Sequence, residues 1–100
     1  LIDWSRPADY LERFCRAMDP WPGAYTTWEG ASLKIWRAEA VPGAGDSPPG
    51  TVLPEPGPAA VVTGEGRLRL VTVQPAGRPP LRAEDFVRGR PRFIGAHLGT

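Results

Sequence analysis

The sequence predicts a mainly β fold: a small five-stranded barrel or sandwich with one helix near the N-terminus and a second, short helix near the C-terminus. Two observations carry this. Thirteen prolines and twelve glycines cut the 100-residue chain into short elements. Between them, five short stretches are rich in β-formers or alternate apolar with polar residues, each bounded by turn residues.

The elements follow in order. Ile2 and Trp4 anchor an extended lead-in. Ser5-Arg6-Pro7 starts a helix, with Pro7 in the first turn, where its missing N–H has no partner anyway, and Ser5 the best capping residue. Tyr10, Leu11, Phe14, Cys15 and Met18 then recur with helical spacing, so Leu11, Phe14, Cys15 and Met18 pack on the β core. Asp9–Arg13 and Glu12–Arg16 are i,i+4 pairs in the favourable order. Cys15 lies on the apolar stripe and reads as a small buried hydrophobe rather than a nucleophile.

Pro20 and Pro22 end the helix, because each fixes φ and lacks a backbone donor, and Gly23 permits a bend. Trp21 is expected as a buried ring of this corner; an exposed stacking platform for a base is the sharper alternative. Residues 24–28 form a strand, Glu29-Gly30 a hairpin turn, and residues 33–41 a second strand. Strict alternation puts Leu33, Ile35 and Arg37 on one face of it and Lys34, Trp36 and Ala38 on the other. Residues 42–50 are a surface loop, 51–53 and 59–63 short strands, and 67–74 the fifth strand. On that last strand Leu68, Leu70 and Thr72 face one way, and Arg69, Val71 and Val73 the other. Residues 81–88 form the short helix, with Phe86 and Val87 inward and Arg82 a poor cap; residues 93–95 cover the barrel.

Residues 1–100 make one domain, enough for a single modest core. One cysteine excludes an internal disulfide and fits a reducing compartment, hence a cytoplasmic location. No apolar run approaches a membrane span and no signal peptide is seen, so no membrane partner is expected. The chain starts at Leu1 rather than methionine, which reads as a piece of a longer protein. Charge is uneven. Residues 1–66 hold five basic and nine acidic side chains; residues 67–92 hold seven arginines against Glu84 and Asp85. The C-terminal third can therefore present a positive face, unless its arginines are merely solubilising.

Several segments carry a resemblance. Ile2-Asp3-Trp4-Ser5, Pro20-Trp21-Pro22-Gly23-Ala24-Tyr25-Thr26, Leu33-Lys34-Ile35-Trp36-Arg37-Ala38 and Gln74-Pro75-Ala76-Gly77 stand in the order found in the C-terminal domain of the methionyl-tRNA formyltransferase family. Pro49-Gly50-Thr51-Val52-Leu53, Thr63-Gly64-Glu65-Gly66 and Ala83-Glu84-Asp85-Phe86 extend the resemblance along nearly the whole chain. It implies an OB-fold-like barrel that binds and positions initiator methionyl-tRNA for N-formylation by a separate N-terminal catalytic domain. Here Asp19 replaces the Asn often found before Pro-Trp-Pro, and Arg78 is followed by Pro79-Pro80 where relatives carry consecutive lysines.

The resemblance also implies that 10-formyltetrahydrofolate belongs to that absent domain, and that this chain alone is not an enzyme. The family's catalytic Asn, His and Asp cannot be placed, since the chain has no Asn and its one histidine, His97, lies near the end. Asp3, Ser5 and His97 have no motif context for a triad. No cofactor or metal is expected here. The alternative function is a spacer or protein-interaction domain of a related formyltransferase acting on folates or sugar nucleotides.

Arginine gives planar, permanently charged contacts to phosphate. Charge placement nominates Arg69, Arg78, Arg88 and Arg90 as the first nucleic-acid contacts, with Arg37 and Arg92 behind them. Lys34 and Arg37 have opposite parity, so they share a face only if a bulge intervenes.

Overall fold

The computed structural model describes residues 1–43 and 47–99. The expected 42–50 loop thus lies partly outside the described residues.

Helix α1 (Ala8–Ala17) buries Ala8, Leu11 and Cys15, while Phe14 and Met18 are half-buried against the core. The apolar spacing explains that face. Asp9–Arg13 and Glu12–Arg16 pair along its solvent side. Its start differs from expectation. Pro7 holds the cap position itself, and the Ala8 N–H donates to the Glu65 carbonyl at 2.9 Å. A neighbouring turn therefore satisfies a donor that a side-chain cap would have taken. Ser5 caps nothing; its hydroxyl donates to Asp3 Oδ1 at 2.6 Å.

The corner corrects a second expectation. Trp21 is 82% exposed, not buried. The Gly23 N–H donates to the Met18 carbonyl at 2.9 Å, which folds the chain back at once. Gly23, at φ +88°, then lies against the Trp36 ring, where a Cβ would meet Cη2 at 2.9 Å. Trp36 is half-buried against this corner, and the proline-bounded Trp21 is left in solvent.

Strand β1 (Tyr25–Trp28) pairs antiparallel with β2 (Ala31–Val41). Glu29 and Gly30 join them at φ 52° and 78°, the doubly positive φ of a two-residue I′ turn. The remaining strands are β3 (Val52–Leu53), β4 (Ala60–Val62), β5 (Arg67–Pro75) and β6 (Leu81–Arg82). The six form one antiparallel sheet in the order β1-β2-β5-β4-β3, with β6 beside β5. The mainly β class is as predicted. The sixth strand is not: Leu81 and Arg82 were expected to begin the second helix. They stay extended after Pro79-Pro80 and pair with Val73 and Thr72, so α2 is Ala83–Gly89.

A closed barrel is not what forms, because no ladder joins β1 to β3 among the described residues. Strand β3 is two residues long and runs into Pro54, Pro56 and Pro58, which cannot extend a ladder. Residues 95–99 bridge the gap instead. Gly95 N donates to Val52 O at 2.7 Å and Leu98 N to Gly50 O at 2.8 Å on one side; Gly99 N donates to Thr27 O at 2.9 Å on the other.

The core reads from the inward row of each strand. Leu33, Ile35, Val61, Leu68, Leu70 and Val73 are all buried. The row on β5 departs from strict alternation. Ile35 pairs with Val73, Arg37 with Thr72 and Ala38 with Leu70, which leaves Trp36 and Val71 as unpaired bulge residues. Val73 therefore faces inward with Leu68 and Leu70, and Thr72 does not. At one end Trp28, Phe86 and Phe93 pack edge to face with centroids 4.9 to 5.9 Å apart. Trp4 is buried and its Nε1 donates to Thr26 Oγ1 at 3.0 Å, satisfying both polar atoms.

Candidate nucleic-acid interface

The arginines fall into two settings. In the first the guanidinium is already engaged. Arg69 stands opposite Glu39 in the β2–β5 register, so the two form an ion pair, and its Nε also donates to the Gly57 carbonyl at 2.7 Å. Arg88 Nη1 lies 3.1 Å from Asp85 Oδ1 within α2. Arg82 reaches Glu84 and Asp85 at 3.2 and 3.5 Å across the start of α2, whose N-terminus has no side-chain cap. Arg92 Nη2 lies 2.9 Å from Glu29 Oε1 and ties the 3-10 turn Pro91–Phe93 to the β1–β2 hairpin.

In the second setting the cation is available. Arg78 is exposed in the β5–β6 loop and makes no ion pair with a described residue. That loop is held at the Arg78 backbone: Arg78 N donates to Pro75 O at 3.2 Å, and the Gln74 side chain donates through Nε2 to Arg78 O at 2.8 Å. Arg90 is half-buried, its guanidinium 4.5 Å from the Phe86 ring centroid. The packed Phe86 fixes where that charge sits. Arg37 is exposed and also makes no ion pair with a described residue.

Arg78 and Arg90 line one cleft, between the β1–β2 hairpin and α2, together with Trp28, Glu29, Ser32 and Phe86. Arg92 joins this end through Glu29. Arg69 and Arg37 do not. Arg69 lies by Gly57 and Arg82, and Arg37 lies by Glu12, Cys15 and Asp19 of the α1 side. The pairing of Lys34 with Gln74 and of Arg37 with Thr72 is something residue parity could not give, because nothing in the sequence marks Trp36 as a bulge.

Other candidate chemistry resolves into local structure. Asp3 accepts from both the hydroxyl and the N–H of Ser5, which with Arg6 hold its carboxyl below the usual carboxylate range. His97 Nε2 lies 3.1 Å from the Pro49 carbonyl, so Asp3, Ser5 and His97 form no relay. Burial pushes the Cys15 thiol up to about 11, with Glu12 adding to the shift. No group of three His, Cys, Asp or Glu side chains among the described residues could hold a metal. No helix of the described residues is long and apolar enough to cross a membrane.

Fold and surface together define a small antiparallel β domain with two helices and an arginine-bearing cleft at its hairpin end. The chain belongs to the formyl transferase C-terminal domain family, whose model matches residues 1–91. It is 50% identical to a methionyl-tRNA formyltransferase of Roseiflexus sp. (strain RS-1), over 99% of this chain and 31% of that protein. Similar proteins of the same name occur in Roseiflexus castenholzii, at 53% identity over 99% of this chain and 32% of the relative, and in Gluconacetobacter diazotrophicus, at 43% over 99% and 32%. The chain thus spans about a third of the length of the curated relatives it matches.

Proposed function

We propose that this chain is the tRNA-holding domain of a cytoplasmic methionyl-tRNA formyltransferase. It binds initiator methionyl-tRNA through phosphate contacts and positions it for a separate catalytic domain that transfers the formyl group, a step of translation initiation. The observation that carries this is the cleft shared by Arg78 and Arg90, two cations that make no ion pair with a described residue, while Glu29 of the same cleft is paired with Arg92. Arginine there meets phosphate with its full charge and reads no bases, which suits a domain that holds rather than selects. Arg88 and Arg92 rank behind this pair, since each must leave a carboxylate to reach RNA. Arg37 serves a different face, and Arg69 ranks last because Glu39 and the Gly57 carbonyl hold it.

The formyl donor, 10-formyltetrahydrofolate, belongs to the catalytic domain in this reading. The spacer reading draws on one observation, that Arg82, Arg88 and Arg92 are internally paired.

The test is charge reversal of Arg78 and Arg90 in the intact protein that contains this chain. Affinity for initiator tRNA and kcat/KM for formylation should each fall about tenfold or more, from two lost phosphate contacts. If both stay at wild-type values, the domain is a spacer.

A further inference from the structure

We propose a second RNA contact on this domain: the outer face of the β1–β2–β5 sheet takes an unstacked, single-stranded stretch of RNA. Its phosphates lie on Lys34 and Arg37, and one base stacks on Tyr25. This rests on the tRNA reading above but concerns a face away from the Arg78–Arg90 cleft.

The register builds the face. Tyr25, Lys34 and Gln74 lie side by side across β1, β2 and β5. Arg37, Thr72 and Arg82 lie side by side across β2, β5 and β6. Thr72 and Gln74 are two apart on one strand, so both rows point to the same side. That side is the outer one, because Val73 between them is fully buried. The bulge at Trp36 makes this possible. Without it, Arg37 would share parity with Leu33 and Ile35 and point into the core.

The rows suit RNA chemically. They hold three cations, an exposed aromatic ring and no carboxylate. Tyr25 is 37% exposed, and an exposed aromatic ring can stack with any base. Trp36 is fixed as the platform between the rows: its Nε1 donates to Gln74 Oε1 at 2.9 Å, and Lys34 Nζ lies 5.4 Å from its ring centroid. Lys34 is thereby held beside the Trp36 ring and makes no ion pair with a described residue. Arg82 is shared with Glu84 and Asp85 and contributes less. Glu12, Asp19 and Glu39 flank Arg37, with Glu39 paired to Arg69 and Glu12 to Arg16, so the rows end at Arg37 on this side.

The experiment uses the intact protein with two probes, initiator tRNA and a twelve-residue oligouridylate. The variants are Lys34→Ala with Arg37→Ala, Tyr25→Ala, Tyr25→Phe, and Arg78→Glu with Arg90→Glu, each checked for an unchanged melting curve. The Lys34/Arg37 double variant should weaken both probes and reduce the salt slope by about 1.4, at about 0.7 per single-strand phosphate. Tyr25→Ala should weaken the oligomer by about fivefold or more, and Tyr25→Phe, which keeps the ring, should restore it. If tRNA binding responds to the Arg78/Arg90 reversal but not to these variants, the face is wrong and the functional reading stands. If the oligomer responds to these variants while tRNA does not bind at all, the face stands and the functional reading falls. If the variants loosen the rest of the protein from this domain while both RNA affinities hold, the face is a protein contact and the proposal is overturned.

Discussion

Arg69 and Arg78 come from the same basic third of the chain and end in opposite circumstances. Arg69 is a structural cation: it stands across from Glu39, donates to the Gly57 carbonyl and has a side chain only 34% exposed. Arg78 stands in a loop held through its backbone N–H and carbonyl, by Pro75 O and the Gln74 side chain, and its guanidinium makes no ion pair with a described residue. The lesson is that a surplus of arginines in a sequence overstates the charge a partner can use. Seven arginines lie between residues 67 and 92, and the ones that matter for a ligand are those the fold has not already matched.

The largest expected effect breaks the comparison at its root. Phe86 is fully buried, packs on Trp28 and Phe93 and carries Arg90 on its ring face. Phe86→Ala should cost roughly 3–5 kcal/mol in denaturant unfolding. Phe14, half-buried and stacked on Tyr10 at 6.4 Å, should cost only about 1–2 kcal/mol when cut to Ala. Equal losses at the two sites would mean the hairpin end is not the tighter part of the core.

Next in size is the pair itself. Arg69→Ala should lower stability by about 1 kcal/mol, kept small by solvent screening of a partly exposed pair, and leave tRNA affinity unchanged. Arg78→Ala should leave stability within about 0.5 kcal/mol and weaken tRNA binding. Thermal melting and filter binding on the same two variants read both halves. Trp21→Ala should likewise move stability by less than about 0.5 kcal/mol, since the ring is solvated. A drop of several kcal/mol would return Trp21 to the core.

The smallest effect extends the contrast from charges to a thiol. With its pKa pushed up to about 11, Cys15 is almost wholly protonated at neutral pH and is also buried. Alkylation by iodoacetamide should be slow in the folded protein and should speed up on unfolding in urea, where the thiol returns to its ordinary range. Fast alkylation of the native state would show the α1 stripe to be open.

What the sequence made legible was whatever depends on local chemistry. The amphipathic spacing of Leu11 and Cys15, the Glu29-Gly30 turn and the inward Phe86 follow from side-chain type and periodicity alone. The misses all involve a distant partner. Ser5 lost the cap to the Glu65 carbonyl, Gly23 rather than Trp21 packs at the corner against the Trp36 ring, and Leu81-Arg82 became a strand because β5 had an unpaired edge there. The bulge at Trp36 belongs to the same class, since it exists only in the pairing of two strands. The candidate site was half legible. Residue type pointed to the arginines, but which of them are matched depended on where Glu39, Asp85 and Glu29 came to lie.

The most direct measurement compares salt dependence for two double variants of the intact protein, Arg78→Ala with Arg90→Ala and Arg67→Ala with Arg69→Ala. Initiator tRNA affinity is titrated well below both melting temperatures. Losing the cleft pair should reduce the slope of log affinity against log salt by about 1.4 to 1.8, two phosphates at about 0.7 to 0.9 each. Losing the β5 pair should leave the slope where it was, because Arg69 is matched by Glu39 and Arg67 donates to the Glu55 carbonyl at 2.9 Å. Equal reductions from the two pairs, or a reduction from the β5 pair alone, would contradict the distinction between engaged and available arginines on which the RNA face is built.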